Sequence, residues 1–127
     1  MAERESTVLC VDDQTVFRAA LREVIAATPG LTHVGDATSG QAAIVAVEAL
    51  RPDLVLMDIQ MPGLDGFQTA RIIAERRRDV VVILMSADHV GPSPSFVARG
   101  GTIAVVDKRE LCPRTLLDLW HGSPRTR

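Results

Sequence analysis

The stretch VLMDIQMPGLDG, residues 55–66, joins a run of apolar residues to a turn through one acidic residue, Asp58. The apolar residues 54–57 are suited to a buried β-strand, and the Pro62-Gly63 pair is typical of a turn. An ionised carboxylate at the edge of a hydrophobic core costs several kcal/mol unless a partner compensates it. The stretch therefore predicts a strand that ends at a polar site, with Asp58 as its first candidate residue.

Strand and helix patterns alternate on both sides of this stretch. Apolar runs predict five strands, at residues 7–11, 31–37, 53–58, 80–86 and 102–106. Apolar residues three and four apart predict helices from about residue 16 to a stop near Pro29-Gly30, from the N-cap Ser39 to residue 50, over about 65–77, and from about Pro113. The side chains expected to face the core from the first, third and last of these helices are Val16, Phe17, Ala20, Leu21, Val24 and Ile25; Phe67, Ala70, Ile73 and Ala74; and Leu116, Leu117 and Trp120.

This alternation predicts an α/β fold of the doubly wound, flavodoxin-like type. Uniformly apolar strands imply a parallel sheet that helices cover on both faces, which gives a three-layer sandwich. One common strand order for five such strands is 2-1-3-4-5. Between the fourth and fifth strands, Gly91, Pro92 and Pro94 oppose a regular helix, so we expect the helix in that connection to be short or irregular.

Composition narrows the class of protein. The 127 residues carry a net charge of −2, which argues against binding a phosphate backbone as the main role. We expect one domain over residues 1–121, with residues 122–127 as a tail or the start of a linker. No apolar stretch approaches the roughly 18 residues of a membrane span, and the first residues lack the apolar middle of a signal peptide. Cys10 and Cys112 have no disulfide or metal-ligand spacing, and the histidines are scattered, so we expect reduced thiols in a cytoplasmic protein without membrane contact.

Polar residues follow four of the five predicted strands, at the point where each strand ends. They are Asp12 and Asp13 after strand one, Asp58 after strand three, Ser86 after strand four and Lys108 after strand five. In order 2-1-3-4-5 these residues meet where ligands bind open parallel sheets. Neighbouring strands lie about 4.8 Å apart, so a hydroxyl reaches from the adjacent strand and a long lysine spans the roughly 10 Å from the next. Carboxylates at close range repel one another unless a cation lies between them. Mg²⁺ suits such a site, because it binds carboxylate oxygens and also phosphoryl oxygens.

With these residues in this order, the sequence resembles the receiver domain of bacterial two-component response regulators. The resemblance covers about residues 6–120. The segments DDQTVFRAALREVI and VGDATSGQAAI are most similar to receivers attached to a helix-turn-helix DNA-binding domain. The resemblance implies contact with DNA only through an output domain that is absent from this chain.

The resemblance also implies roles for individual residues. Asp58 corresponds to the phosphoacceptor. The Mg²⁺ ligands correspond to Asp13, Asp58 and the backbone carbonyl of Gln60, with Asp12 supporting the metal through water.

Ser86 and Lys108 correspond to the residues that hold the phosphoryl oxygens. The implied donor is a sensor histidine kinase, and the chain is expected to catalyse only its own phosphorylation and dephosphorylation rather than to be an enzyme. Homodimers are expected through the face of the helix after strand four, strand five and the last helix, or through the first and last helices.

Departures from the family pattern keep an alternative open. The position that usually holds a switching aromatic is Val105, and the lysine is followed by Arg109 rather than by the frequent proline, so a cis peptide bond is not expected there. Val105 and the irregular helix expected after strand four leave room for a binding or dimerisation module that acts without phosphorylation. A small-molecule phosphatase is disfavoured, because Gln60 occupies the position where that class usually has its second acid.

Overall fold

The computed structural model describes residues 5–87 and 102–122, and within them a five-stranded parallel sheet in the order β2-β1-β3-β4-β5. The strands are β1 Ser6–Val11, β2 Leu31–Ala37, β3 Leu54–Asp58, β4 Val81–Ser86 and β5 Thr102–Asp107. The helices are α1 Thr15–Ala26, α2 Gly40–Leu50, α3 Gly66–Arg76 and α4 Pro113–His121, and a short 3-10 helix covers Lys108–Glu110. The predicted flavodoxin-like sandwich and its strand order are confirmed. The connection expected to hold a short or irregular helix lies outside the described residues.

The sheet buries both of its faces, as the uniformly apolar strands predict. On one face, a cluster that includes Val11, Met57 and Leu84 packs against α2 and α3. On the other face, a cluster that includes Cys10 and Leu56 packs against α1 and α4. Because successive strand residues point to opposite faces, every central strand contributes to both cores.

Two helices show a narrower buried stripe than their sequence patterns predict. In α1, Leu21 and Ile25 are buried and Phe17 packs against the core, but Val16 is 84% exposed and Ala20 is also exposed. Each of these two residues precedes a core residue by one position, which turns it about 100° away from the sheet. The expectation that they face the core was wrong.

The last helix, α4, shows a similar difference. Leu116 and Trp120 are buried as expected, whereas Leu117 is only partly buried. Leu119, which is also only partly buried, packs against the core cluster of Leu116 and Trp120.

Side-chain caps begin two of the helices, α2 and α3. Ser39 caps α2 by accepting a hydrogen bond from the backbone N–H of Ala42. Asp65 and Gln68 form a reciprocal capping box at the start of α3. Within the described residues there is no helix long and apolar enough to cross a membrane.

Candidate functional site

Strand register brings the predicted polar residues to one edge of the sheet. Val11 pairs with Met57, so Asp12 and Asp58, the next residue of each strand, lie side by side. Asp58 in turn pairs with Met85, and Ser86 is the following residue. Parallel strands end at the same edge, and the strand order reverses between β1 and β3. The site therefore lies where ligands bind in open parallel sheets.

Three carboxylates form the centre of this site. Asp12, Asp13 and Asp58 each offer an oxygen, and these oxygens lie within 4.8 Å of one another. Asp12 and Asp58 are buried, whereas Asp13 is exposed. The cluster is thus closed towards the sheet and open towards solvent on the side of Asp13.

Asp12 is fixed by the turn between β1 and α1. Its Oδ1 accepts a hydrogen bond from the backbone N–H of Gln14 at 2.8 Å. Its carbonyl oxygen accepts one from Nη1 of Arg18 at 2.6 Å. The buried Oδ2 makes no hydrogen bond of good geometry, although a cation lies beside it.

That cation is Lys108, the only lysine in the sequence. Its Nζ lies 2.7 Å from Oδ2 of Asp12 and 3.3 Å from Oδ2 of Asp58, so it bridges the two buried carboxylates. The ammonium group also lies 4.3 Å from the centre of the Phe17 ring, a distance suited to a cation–π contact. The long side chain reaches across β4, as the sequence spacing predicts.

The surroundings of Asp58 disfavour the ionised form of its carboxyl group. Burial raises the pKa of Asp58 above its ordinary value, and the nearby Asp12 adds to this effect. Lys108 and the backbone N–H of Gln60, which donates to Oδ1 at 3.1 Å, oppose the rise in this pKa. The pKa is still raised overall. Lys108 and the Gln60 N–H therefore offset only part of the free-energy cost of burying the Asp58 charge.

The turn after Asp58 is held by backbone contacts. The N–H of Ile59 donates to the carbonyl of Met85, and the N–H of Gly66 donates to the carbonyl of Ile59. A Cβ atom on Gly66 would lie 2.5 Å from the carbonyl oxygen of Asp58, so only glycine allows this approach of α3. The loop that begins at Asp58 is therefore anchored to β4 and to the start of α3.

The remaining predicted residues border the cluster. Ser86 is the buried last residue of β4, one strand away from Asp58. Gln60 is exposed and contributes its backbone N–H to Asp58. Its carbonyl as a metal ligand stays a prediction.

A clamp beside Lys108 is a feature that the sequence reasoning missed. The buried Asp107 carboxylate accepts three hydrogen bonds from Arg109. The donors are the backbone N–H at 2.8 Å and the side-chain Nε and Nη2 at 3.0 Å and 2.6 Å. Proline at this position would remove the first of these donors. These three hydrogen bonds hold the turn that follows Lys108.

The donor atoms of the acidic cluster fit a hard divalent cation. Three carboxylates at close range repel one another, and Lys108 supplies only one positive charge. Carboxylate oxygens with an opening for water are the ligands that Mg²⁺ prefers.

We expect Lys108→Ala to bind Mg²⁺ more tightly than the wild-type protein. The ammonium group repels an incoming dication, and its loss leaves the carboxylates without an internal counter-ion, an effect of roughly tenfold in affinity. Lys108→Arg, which keeps the charge, is the control and should stay near wild type. Calorimetric titration with Mg²⁺ measures both, and an unchanged or weaker affinity in Lys108→Ala would show that the lysine does not oppose the metal.

Comparison with known proteins agrees with this geometry. Residues 8–117 match the family model for the response regulator receiver domain. The response regulator UvrY of Escherichia coli is 35% identical over 101 residues, which cover 80% of this chain and 46% of UvrY. The nitrate/nitrite response regulator protein NarL of Escherichia coli is 31% identical over 120 residues, which cover 94% of this chain and 55% of NarL. The chain thus spans about half the length of these relatives.

A solved structure shows the same fold. The response regulator domain of Thermotoga maritima CheB superposes with a TM-score of 0.80 at 26% identity, over 94% of this chain and 96% of that domain. Strand order and helix placement in the two chains therefore correspond.

Proposed function

Because this chain belongs to the family of response regulator receiver domains, we propose that it takes a phosphoryl group onto Asp58 from a sensor histidine kinase. Receiver domains bind Mg²⁺ at an acidic pocket, interact with histidine kinases and output domains, and are mostly signalling modules rather than enzymes. The observation that supports the proposal most directly is the Lys108 ammonium between Asp12 and Asp58, beside a third carboxylate.

Asp58 acts as the nucleophile in the proposed reaction. A carboxylate oxygen attacks phosphorus and forms a P–O bond, while the P–N bond to the kinase histidine breaks and its electron pair stays with the imidazole ring. The raised pKa of Asp58 marks a carboxylate that burial destabilises, and transfer of a phosphoryl group gives it a covalent partner.

Lys108 and Ser86 stabilise the phosphoryl group. Nζ of Lys108 already lies 3.3 Å from Oδ2 of Asp58, so a short movement brings it to a phosphoryl oxygen. Ser86, one strand away, offers a hydroxyl on the other side. Such charge stabilisation, more than covalent chemistry, lowers the barrier to phosphoryl transfer.

Asp13, Asp58 and the Gln60 carbonyl would hold Mg²⁺, with Asp12 acting through water, and the bound ion would supply positive charge to the carboxylates and the phosphoryl oxygens. The protein residues then orient the acceptor. The Gln60 N–H holds Oδ1 of Asp58, and the hydrogen bond from Ile59 to Met85 fixes the backbone beneath it.

The proposed signal is a change in association with an output domain or a second copy of the chain. The relatives UvrY and NarL are response regulators about twice as long as the matched region, and we propose a transcriptional output for this receiver as well. The faces proposed for a homodimer are the connection after β4 with β5 and α4, or α1 with α4. The chain itself is proposed to catalyse only its own phosphorylation and dephosphorylation.

A module that binds partners without phosphorylation is the second candidate. Val105 packs partly buried against the core at the position of the family's switching aromatic. A valine side chain is too small to transmit the same inward displacement. This observation concerns transmission of the signal and leaves the phosphorylation site unchanged.

Incubation with acetyl phosphate and Mg²⁺ tests the proposed function. We expect a mass increase of one phosphoryl group, its loss with hydroxylamine as for an acyl phosphate, and its location by peptide mapping at Asp58. Chelation of Mg²⁺ should prevent the increase. An unchanged mass, together with an amide spectrum unmoved by beryllofluoride and Mg²⁺, would favour the second candidate.

A further inference from the structure

A second cluster of ligand atoms lies between β1 and the edge strand β2. Cys10, His33 and Asp36 each offer one atom, a sulfur, a ring nitrogen and a carboxylate oxygen, and these atoms lie within 4.8 Å of one another. Cys10 is fully buried, whereas the side chains of His33 and Asp36 are 26% and 28% exposed. The cluster is closed by the core on one side and reaches solvent on the other.

A β-bulge brings the three side chains together. Residues three apart on a regular strand point to opposite faces of the sheet, so His33 and Asp36 would normally be separated. Here the β1–β2 register shifts between Val8, which pairs with His33, and Leu9, which pairs with Gly35. Val34 is the extra residue of β2, and the shift returns Asp36, the partner of Cys10, to the face of His33.

The donor set selects a class of metal. Thiolate sulfur and imidazole nitrogen favour Zn²⁺ and similar transition metals, whereas Mg²⁺ prefers oxygen ligands. Nε2 of His33 and Oδ1 of Asp36 form a hydrogen bond at 2.8 Å, which a metal ion held by both atoms would replace. Three protein ligands with an open side leave the fourth position to water.

Nearby Arg18 opposes a cation at this site, and so does Arg22, the arginine paired with Asp36. Its Nη2 lies 3.7 Å from Oδ2 of Asp36, the oxygen that does not contact His33. The arginine side chain is 47% exposed, so it can turn into solvent when a dication enters. It orients the Asp36 carboxylate and at the same time limits the affinity for metal.

We propose that Cys10, His33 and Asp36 form a site for Zn²⁺ or a similar transition metal, separate from the acidic cluster that receives Mg²⁺. Three ligands from two neighbouring strands would fasten the edge strand β2 to the centre of the sheet.

Titration with Co²⁺ in the presence of saturating Mg²⁺ tests this site, because a thiolate–cobalt charge-transfer band reports sulfur ligation directly. We expect the band to appear at one equivalent and to be displaced by Zn²⁺. It should vanish in Cys10→Val, whereas Cys112→Ala, which removes the exposed thiol, should keep it. Absence of the band, or its survival in Cys10→Val, would overturn the proposal.

Variants outside the core guard against a failure of Cys10→Val to fold. His33→Gln alters a partly exposed side chain, and we expect Zn²⁺ affinity to fall about tenfold or more by calorimetry. Arg22→Gln should tighten Zn²⁺ binding. Unchanged affinity in His33→Gln, or a loss of Zn²⁺ binding in Asp13→Asn instead, would place the metal elsewhere and refute the site.

Discussion

Asp58→Asn is expected to abolish phosphoryl uptake and to raise the melting temperature of the metal-free protein. An amide cannot act as the nucleophile, so the mass increase with acetyl phosphate should disappear entirely. The stability gain follows from the raised pKa of Asp58. A carboxyl with a raised pKa contributes its full stability below its ordinary pKa, and this contribution is lost as the pH rises through the raised value.

At neutral pH the charge on Asp58 is therefore a cost that asparagine avoids. We expect the metal-free Tm to rise, because asparagine carries no charge that burial destabilises. Mg²⁺ should reverse the order, because only the wild-type protein keeps all three carboxylates. Calorimetric melting with Mg²⁺ and with chelator measures this, and a metal-free Asp58→Asn protein that melts below wild type would contradict it.

Asp53→Asn is the matched control for this substitution. Asp53 directly precedes β3, the strand that Asp58 ends, and its Oδ2 accepts hydrogen bonds from the N–H and the hydroxyl of Thr7. Its carboxylate is thus buried at the opposite edge of the same sheet, with good partners. We expect Asp53→Asn to lower Tm and to leave phosphoryl uptake intact. The opposite results of the two variants would show that a lower stability does not by itself prevent phosphoryl uptake.

The order of strands and the edge that holds the site could be predicted because both depend on local patterns. The apolar runs fix the strands, and the residues that end them share an edge in any parallel sheet. Lys108 illustrates how far this reasoning extends. Its length predicted contact across β4, and its Nζ does reach Asp12 and Asp58.

Features that depend on a small rotation or a register shift could not be predicted. The exposure of Val16 follows from a turn of about 100° that the apolar pattern of α1 does not resolve. The approach of His33 to Asp36 depends on the bulge at Val34, which has no signature in the apolar pattern. The Asp107–Arg109 clamp depends on a side chain that folds back on its own turn.

The largest effect on stability is expected for Gly66→Ala. A Cβ on Gly66 would lie 2.5 Å from the carbonyl oxygen of Asp58 and 2.7 Å from the Cα of Ile59. Both are backbone atoms, so no side-chain rotation relieves the overlap. The start of α3 and the turn after Asp58 must separate, although the hydrogen bond from the Gly66 N–H to the Ile59 carbonyl holds them together.

We expect Gly66→Ala to lose about 3 kcal/mol or more of unfolding free energy, at the upper end of overpacking effects. Phosphoryl uptake should also slow at temperatures where the variant is folded, because the displaced atoms belong to Asp58. Gly30→Ala is the control: Gly30 has a φ of +85° but nothing within 4 Å of the added Cβ, so the cost is only the roughly 1 to 2 kcal/mol of a left-handed alanine. Denaturant unfolding compares the two, and equal losses would mean that contact with the Asp58 backbone does not constrain residue 66.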